Sequence, residues 1–524
     1  MYEKMKLYWQ SEKKNIIFCF VSTFILGLAA HAYVMLNNNM SHDWLNAFVA
    51  TDIEEEWKIR LGRYIVPLYR NIFRNSIALP WLIGIISLLW YSASSYLITK
   101  TFDVQSRIVM FLISGVVVTN ITVTAQCATY LYEADFNAFA LLLAVAAAYI
   151  WKKHTKIYHL MPSAILLFIS MGIYQSYVCV TVALILAVSI FDLFDEKNIK
   201  TVILKGILGV CIIIIGYVIY YVVGLAVYTV TGLESESRVN AVDFLKSGNN
   251  LFSVLADTFV FFARNLFHIA YEKWLMLVIF ALTSIVTLST VIYIFVKRKY
   301  GIVRIALIVL LSALFPLGMC AINIIAVDTW THDLMTYAIW ITWIIILVLI
   351  CKLIKDNFIL PYKAIIKSII FASVFVIIWQ NIIISNTVYI RKDLIFKSSF
   401  STMTRVLDRI EQYPGYIEEQ TPVAFIGVPE KNDGSSPQDA VNDFFSTGFI
   451  LKANMNCVFI NDTYTDVYNA YKAYFMYIFN SSIVFCDNDT HLKMKENEQV
   501  VNMPVFPAKD SVRMIDGIIV VKLG

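Results

Sequence analysis

The sequence predicts an all-α polytopic membrane protein that ends in a small α/β domain. Three observations support that prediction. Of the 524 residues, 59% are hydrophobic and only 15% are charged, where a soluble domain carries roughly 25% charged residues. Apolar runs of about 20 residues, long enough to cross a ~30 Å hydrocarbon core, recur through the first three quarters of the chain. From about Thr387 onward the runs shorten and take on a strand-like pattern.

By hydropathy, about eleven spans are expected, each of ~20 residues. They fall at 15–36, 77–99, 107–127, 136–151, 157–173, 175–192, 201–231, 273–296, 303–327, 334–351 and 363–385. Alternate turns collect the basic residues: Lys13 and Lys14, Lys100 and Arg107, Lys152 and Lys153, Lys197 and Lys200, Lys297 to Lys299, and Lys352 and Lys355. That alternation is the mark of a cytoplasmic face. It places the amino terminus inside and, with an odd number of spans, the tail outside. The first run contains "AAHA", a signal-peptidase pattern; with so many spans following, it is read as an uncleaved anchor.

The expected organisation is a transmembrane domain over 1–386 and an extracytoplasmic domain over 387–524. The first outer loop covers 37–76, and an outer amphipathic segment covers 232–272. In the tail, "TPVAFIGVP", "CVFIND", "SIVFCDN" and "DGIIVVKL" read as strands and "TDVYNAYKAYFMYIF" as a helix. This domain is expected to rest on the outer mouth. Six of the eight cysteines sit in or beside apolar runs, as inert core residues do. Cys457 and Cys486 lie in the tail, where pairing needs a distance that sequence does not supply. The net charge of +4 is too small to imply nucleic acid, and the bilayer is the expected partner.

Polar residues outside the positive-inside pattern gather on the outer side. The first loop carries Asp43 and then Lys58, Arg60 and Arg63. "YLYEADFN" carries Tyr132, Glu133 and Asp135, "YQSY" carries Tyr174 and Gln175, and "VDTWTHD" carries His332. The spans flanking "YQSY" are short, so their turn is expected below the outer surface, where polar backbone is tolerated only beside protein or a cavity. Ionisable groups near membrane depth cost roughly 2.5–3.5 kcal/mol on insertion scales and tend to be functional.

An outward cavity holding carboxylates and cations suits transfer of a sugar carried on a lipid phosphate. A carboxylate must accept the acceptor hydroxyl's proton. Cations must neutralise the charge growing on the leaving phosphate. Aromatic and amide groups must hold the sugar. Asp43 fits the base, although Asp is also a good cap for the helix that follows. Glu133 and Asp135 are further acid candidates, with interfacial capping as the plainer role. Arg63 leads the phosphate candidates, followed by Arg60, Lys58, Arg264 and His332, and snorkelling is the alternative for the cations. Tyr174, Gln175 and Tyr132 are the sugar or acceptor candidates, with an interhelical hydrogen bond as the alternative for the first two. Asp52, Glu54, Glu55 and Glu56 read as a solvated helix face. No metal-ligand spacing occurs, and no cofactor is expected; whether a divalent ion assists is open.

The early Asp and later "GR" of the outer loop, the "YQSY" turn and the ending "MPVFPAKDSVRMIDGIIVVKL" resemble the bacterial type II O-antigen glucosyltransferases, the Gtr type II family. The resemblance implies a GT-C-like membrane glycosyltransferase in the bacterial plasma membrane. It implies undecaprenyl-phosphate glucose as donor and a surface polysaccharide or its lipid-linked precursor as acceptor. It also implies inverting displacement, and a donor flippase and a donor synthase as functional partners. It puts the base on Asp43 and a second acid on Glu133 or Asp135. Two departures stand out: His42 precedes Asp43 where many relatives have paired acids, and His332 and Asp333 stand where a late-loop Arg is common. A transporter or lipid flippase, or a polysaccharide polymerase or ligase, is the competing expectation. An acyltransferase would lean on His31, the one histidine well placed in a span.

Overall fold

The structure is a computed structural model that describes residues 2–37, 51–76, 78–236, 251–267, 274–325, 333–355, 362–427, 472 and 475–524. The chain divides into two compact units. The first comprises Met1–Met35, Asp52–Cys127 and Leu131–Asn386, and the second is centred on Thr387–Gly524.

The first unit is helical. Its elements are α1 (Tyr2–Leu36), α2 (Thr51–Arg60), α3 (Val66–Phe73), α4 (Pro80–Thr101), α5 (Arg107–Thr119), α6 (Ile121–Tyr130) and α7 (Ala134–Lys153). They continue with α8 (Ile157–Ile173), α9 (Val178–Phe194), α10 (Ile199–Thr231), α11 (Leu251–Leu266), α12 (Trp274–Arg298), α13 (Ile302–Met319), α14 (Ala321–Ile325), α15 (Tyr337–Lys355) and the part of α16 (Lys363–Glu411) up to Asn386, the rest of α16 belonging to the second unit. Among the described residues, nine helical stretches are long and apolar enough to cross a membrane, and they mark the chain as a membrane protein. One of them, Arg107–Lys153, is 47 residues long and holds α5, α6 and α7; the shorter α8 stands beside the nine.

The long run is broken at Asn120, where the helical ladder would leave carbonyls bare in an apolar setting. The Asn120 amide donates to Val116 O and Val117 O, both at 3.0 Å, and its Oδ1 accepts from Val123 N at 3.2 Å. The Tyr337 hydroxyl donates to Val117 O at 2.7 Å, and His31 Nε2 to Val118 O at 2.7 Å. His31 is therefore a buried donor that satisfies a broken helix, which removes the one histidine an acyltransferase reading relied on.

α8 and α9 have 17 residues each, about 25 Å of helix, less than the hydrocarbon core. Their Gln175–Tyr177 turn is sunk in protein as expected, with Tyr174 4% and Tyr177 2% exposed.

The second unit has a four-stranded sheet in the order β2-β1-β4-β3, formed by β1 (Pro422–Ile426), β2 (Val484–Phe485), β3 (Val512–Ile515) and β4 (Ile518–Lys522). β1 runs parallel to both neighbours, and β3 and β4 form a hairpin. Val423, Phe425, Val520 and Val521 pack with Met403, Val406 and Ile410 of α16. The expected strand "CVFIND" with Cys457, and most of the expected helix before Phe475, lie outside the described residues. β3 was not among the expected strands.

Candidate functional site

The site is built around the end of α2. Its sequence, "TDIEEEWKIR", puts acids in the first turn and Lys58 and Arg60 in the last, which suits the helix dipole. The helix ends in a Schellman motif: Gly62 N donates to Ile59 O at 2.9 Å and Arg63 N to Lys58 O at 2.8 Å. Gly62 sits at φ +76°, and a Cβ there would run into the Tyr220 hydroxyl and the Gln175 amide. Arg63 is therefore aimed by a turn that only glycine fits.

α10 and the sunken turn hold that turn from the other side. Gln175 Nε2 donates to Leu61 O at 2.9 Å and to the Tyr220 hydroxyl at 3.0 Å, and Tyr220 in turn donates to Gly62 O at 3.2 Å. Both amide hydrogens of Gln175 are thus engaged by protein. Ile65 N pairs with Gly172 O at 2.9 Å, tying the start of α3 to the end of α8. α3 is amphipathic, with Leu68 and Ile72 exposed while Tyr69 and Arg70 are buried, as suits a helix lying at an interface.

Arg70 and Arg74, one helical turn apart, point inward from α3. Arg70 pairs with Glu54. Arg74 grips Asp135 with Nε at 2.7 Å and Nη2 at 3.3 Å, and Nη2 also reaches Tyr132 O at 2.7 Å. Arg74 and Asp135 have side chains only 1% and 0% exposed. Together they pin the 3-10 turn Leu131–Glu133, which the Gln126 amide also contacts through Glu133 O at 3.4 Å.

Glu133 projects from that turn into the cations. It pairs with Lys58, and its other oxygen stands 3.6 Å from Arg63 Nη1. Lys58 also lies 3.1 Å from Glu54. The result is an alternating chain of buried charges, Arg70–Glu54–Lys58–Glu133–Arg63. Burial pushes the Glu54 carboxyl up, but Lys58 and Arg70 outweigh it and hold it down at about 2. Burial opposes the Arg70 cation in the same way; Glu54 first, then Glu133, override it and raise its pKa. Glu54 is therefore a buried member of the site and not part of a solvated face, because its partner Arg70 arrives from another helix.

Three cations face two carboxylates in this chain. Arg63, its most open member, lies over the Tyr174 ring with 4.4 Å between guanidinium carbon and centroid. Among the described residues, Arg63 Nε and the Tyr174 hydroxyl are buried and have no hydrogen-bond partner. In native interiors such groups normally find one. The chain carries one cation more than it has anions. Arg70 Nε at the inner end is also unpartnered, but Arg63 is the more open of the two end cations, 15% exposed against 1%, and has two free donors beside it.

Residues 32–345, more than half of the chain, match the family model described as glucosyl transferase GtrII. The chain belongs to that family. This GtrII chain is therefore a glycosyltransferase, and every charged residue of the cluster lies inside the matched stretch. Neither curated proteins nor solved structures provide a match to it.

The other expected residues of this GtrII member fall as follows. Tyr132 is buried, with its ring 5.8 Å from the Lys58 ammonium. Arg60 is half-buried at the rim, 3.9 Å from Glu236. Arg264 is exposed on α11 and has no ion pair among the described residues. Asp43 and His332 lie outside the described residues. Glu54, Arg70, Arg74 and Tyr220 were not anticipated. The available signal for the arginines was "YRNIFR", two cations four residues apart on a short interfacial helix.

Proposed function

We propose that this GtrII chain transfers a hexose, glucose by family, from an undecaprenyl-phosphate carrier to a surface polysaccharide or its lipid-linked precursor. The transfer takes place at the outer face of the bacterial plasma membrane. The observation that supports this best is the unpartnered Nε of Arg63, the more open end cation, next to the unpartnered Tyr174 hydroxyl.

In this reading the acceptor hydroxyl attacks the anomeric carbon as the phosphate leaves, in one inverting step. A bridging phosphodiester carries one negative charge, and the departing monoester carries nearly two. Arg63, backed by Lys58, takes up that gain in charge, so the cluster binds the transition state more tightly than the ground state. Arg63 and Lys58 suffice for the leaving group without a resident metal. Glu133 is engaged by Lys58 and Arg63, and Asp135 by Arg74. Their oxygens are taken up by those cations, so these two organise the site and the base is Asp43, on sequence grounds. Tyr174 is read as a donor to the phosphate or the sugar, and Gln175 as a latch for the Arg63 turn.

The membrane reading that goes with this function has eleven spans in a GT-C-like arrangement. Arg107–Lys153 is counted as two crossings and α8 as one more beyond the nine. The amino terminus is cytoplasmic and the tail extracytoplasmic, and a donor synthase and a flippase supply the substrate.

The test is polysaccharide structure in a deletion strain carrying wild type or Asp43→Asn. The expected result is loss of one side-branch hexose in the deletion, restored by wild type and not by Asp43→Asn. An unchanged polysaccharide in the deletion would refute the transfer reading.

A further inference from the structure

The charge chain has an inner end that the reaction above does not use. Arg70 is 1% and Glu54 6% exposed, and both sit behind Lys58. They are a costly pair to bury if their only purpose is to hold α3 against α2, since an apolar pair of similar volume would do that at no desolvation cost. What the pair contributes, and an apolar pair would not, is control over where Lys58 points and over the net charge behind Arg63.

Resting on the proposed reading of Arg63 as the phosphate ligand, we propose that Arg70 and Glu54 are positioning residues that set the anion affinity of the site without touching the phosphate. Glu54 and Glu133 compete for Lys58. Arg70 neutralises Glu54, so Lys58 is free to hold Glu133, and Glu133 is drawn off Arg63. The long 3.6 Å separation between Arg63 and Glu133, beside the close Lys58–Glu133 pair, is the mark of that division. Without the Arg70 charge, Lys58 turns to Glu54 and Glu133 closes on Arg63, filling the place the phosphate takes.

The charge count makes this an ordered series. The chain carries three cations and two anions in the wild type, a net +1. Arg70→Met brings it to zero, Glu54→Gln to +2, and Arg70→Met/Glu54→Gln back to +1. In a site of effective dielectric ~20, a unit charge about 10 Å from a bound anion changes its affinity on the order of tenfold.

The experiment is equilibrium binding of undecaprenyl phosphate to the full chain in detergent, with thermal unfolding measured on each variant. Glu54→Gln is expected to bind on the order of tenfold tighter than wild type, Arg70→Met on the order of tenfold weaker, and the double variant like wild type. A purely structural pair predicts that both single variants bind more weakly, in step with their lost stability, and that result would overturn the proposal. Should Arg70→Met fail to fold, Glu54→Gln against the double variant reads the same single cation; equal affinities there would overturn it too. Arg63→Ala separates the two levels. If it binds like wild type, the phosphate reading itself falls. If it loses binding while the series shows no order, only the positioning proposal falls.

Discussion

Glu133 and Asp135 stand two residues apart at the start of one helix, and the protein holds them in opposite ways. Asp135 is closed: Arg74 meets both of its oxygens, and the same guanidinium also reaches the Tyr132 carbonyl. Glu133 is shared. Lys58 holds one oxygen closely, while Arg63 stands off at 3.6 Å with an unpartnered Nε and an unpartnered tyrosine hydroxyl beside it. A satisfied buried ion pair makes architecture; a partly open cation with unmet donors leaves room for a ligand. The same residue chemistry serves two purposes, and the difference lies in what remains unsatisfied.

If that contrast is right, the closed pair should matter to folding above all. Arg74→Met or Asp135→Asn alone strands a buried charge and should cost about 3–5 kcal/mol, read as a large fall in Tm in detergent. The double variant Arg74→Met/Asp135→Leu should recover most of it. Equal losses in the single and double variants would break the comparison, since the pair would then act through something other than mutual neutralisation.

A smaller effect is expected at the turn that aims Arg63. Gly62→Ala forces an L-residue to φ +76°, costing about 1–2 kcal/mol, and drives a methyl into the Tyr220 hydroxyl and the Gln175 amide. Donor KM should rise by roughly that energy, about five- to thirtyfold, with a smaller change in kcat. Adding Tyr220→Phe should return part of the loss, because it removes the atom the methyl meets. A change confined to kcat would place the turn elsewhere in the mechanism.

The smallest effect is a pH dependence. The Glu54 carboxyl is held down at about 2, against an unperturbed value of 4.5. A depressed carboxylate contributes stability that is complete above its unfolded pKa and is lost as pH falls through the folded one. The Tm difference between wild type and Glu54→Gln should therefore be constant above pH about 4.5 and narrow below it. A difference that widens on acidification would mean that Glu54 is not held as an anion.

How much of this was legible depended on whether the cause was local. Spans are local: twenty apolar residues in a row carry their own reason to be helical and buried. The sunken "YQSY" turn could be read from the short lengths of its two helices, and Arg63 from a glycine one residue before it. Glu54 was misread because three acids in a row look like a wet face, and only Arg70, 16 residues on, turns one of them inward. Glu133 and Asp135 look equivalent in "YEAD". Nothing in those four letters says that Arg74 closes one and leaves the other open. In the tail, β3 was missed because "SVRMI" mixes polar and apolar residues, although Asp516 and Gly517 both have positive φ, as a two-residue hairpin turn requires.

The central claim is that the open end of the charge chain holds the donor's phosphate. The most direct measurement is steady-state transfer by the purified full chain, wild type against Arg63→Ala, with undecaprenyl-phosphate glucose as the varied substrate. On the proposed reading, in which Arg63 stabilises charge that grows in the transition state, kcat/KM should fall about 10²–10³-fold while Tm stays close to wild type. Wild-type kcat/KM in a folded Arg63→Ala chain would contradict the account.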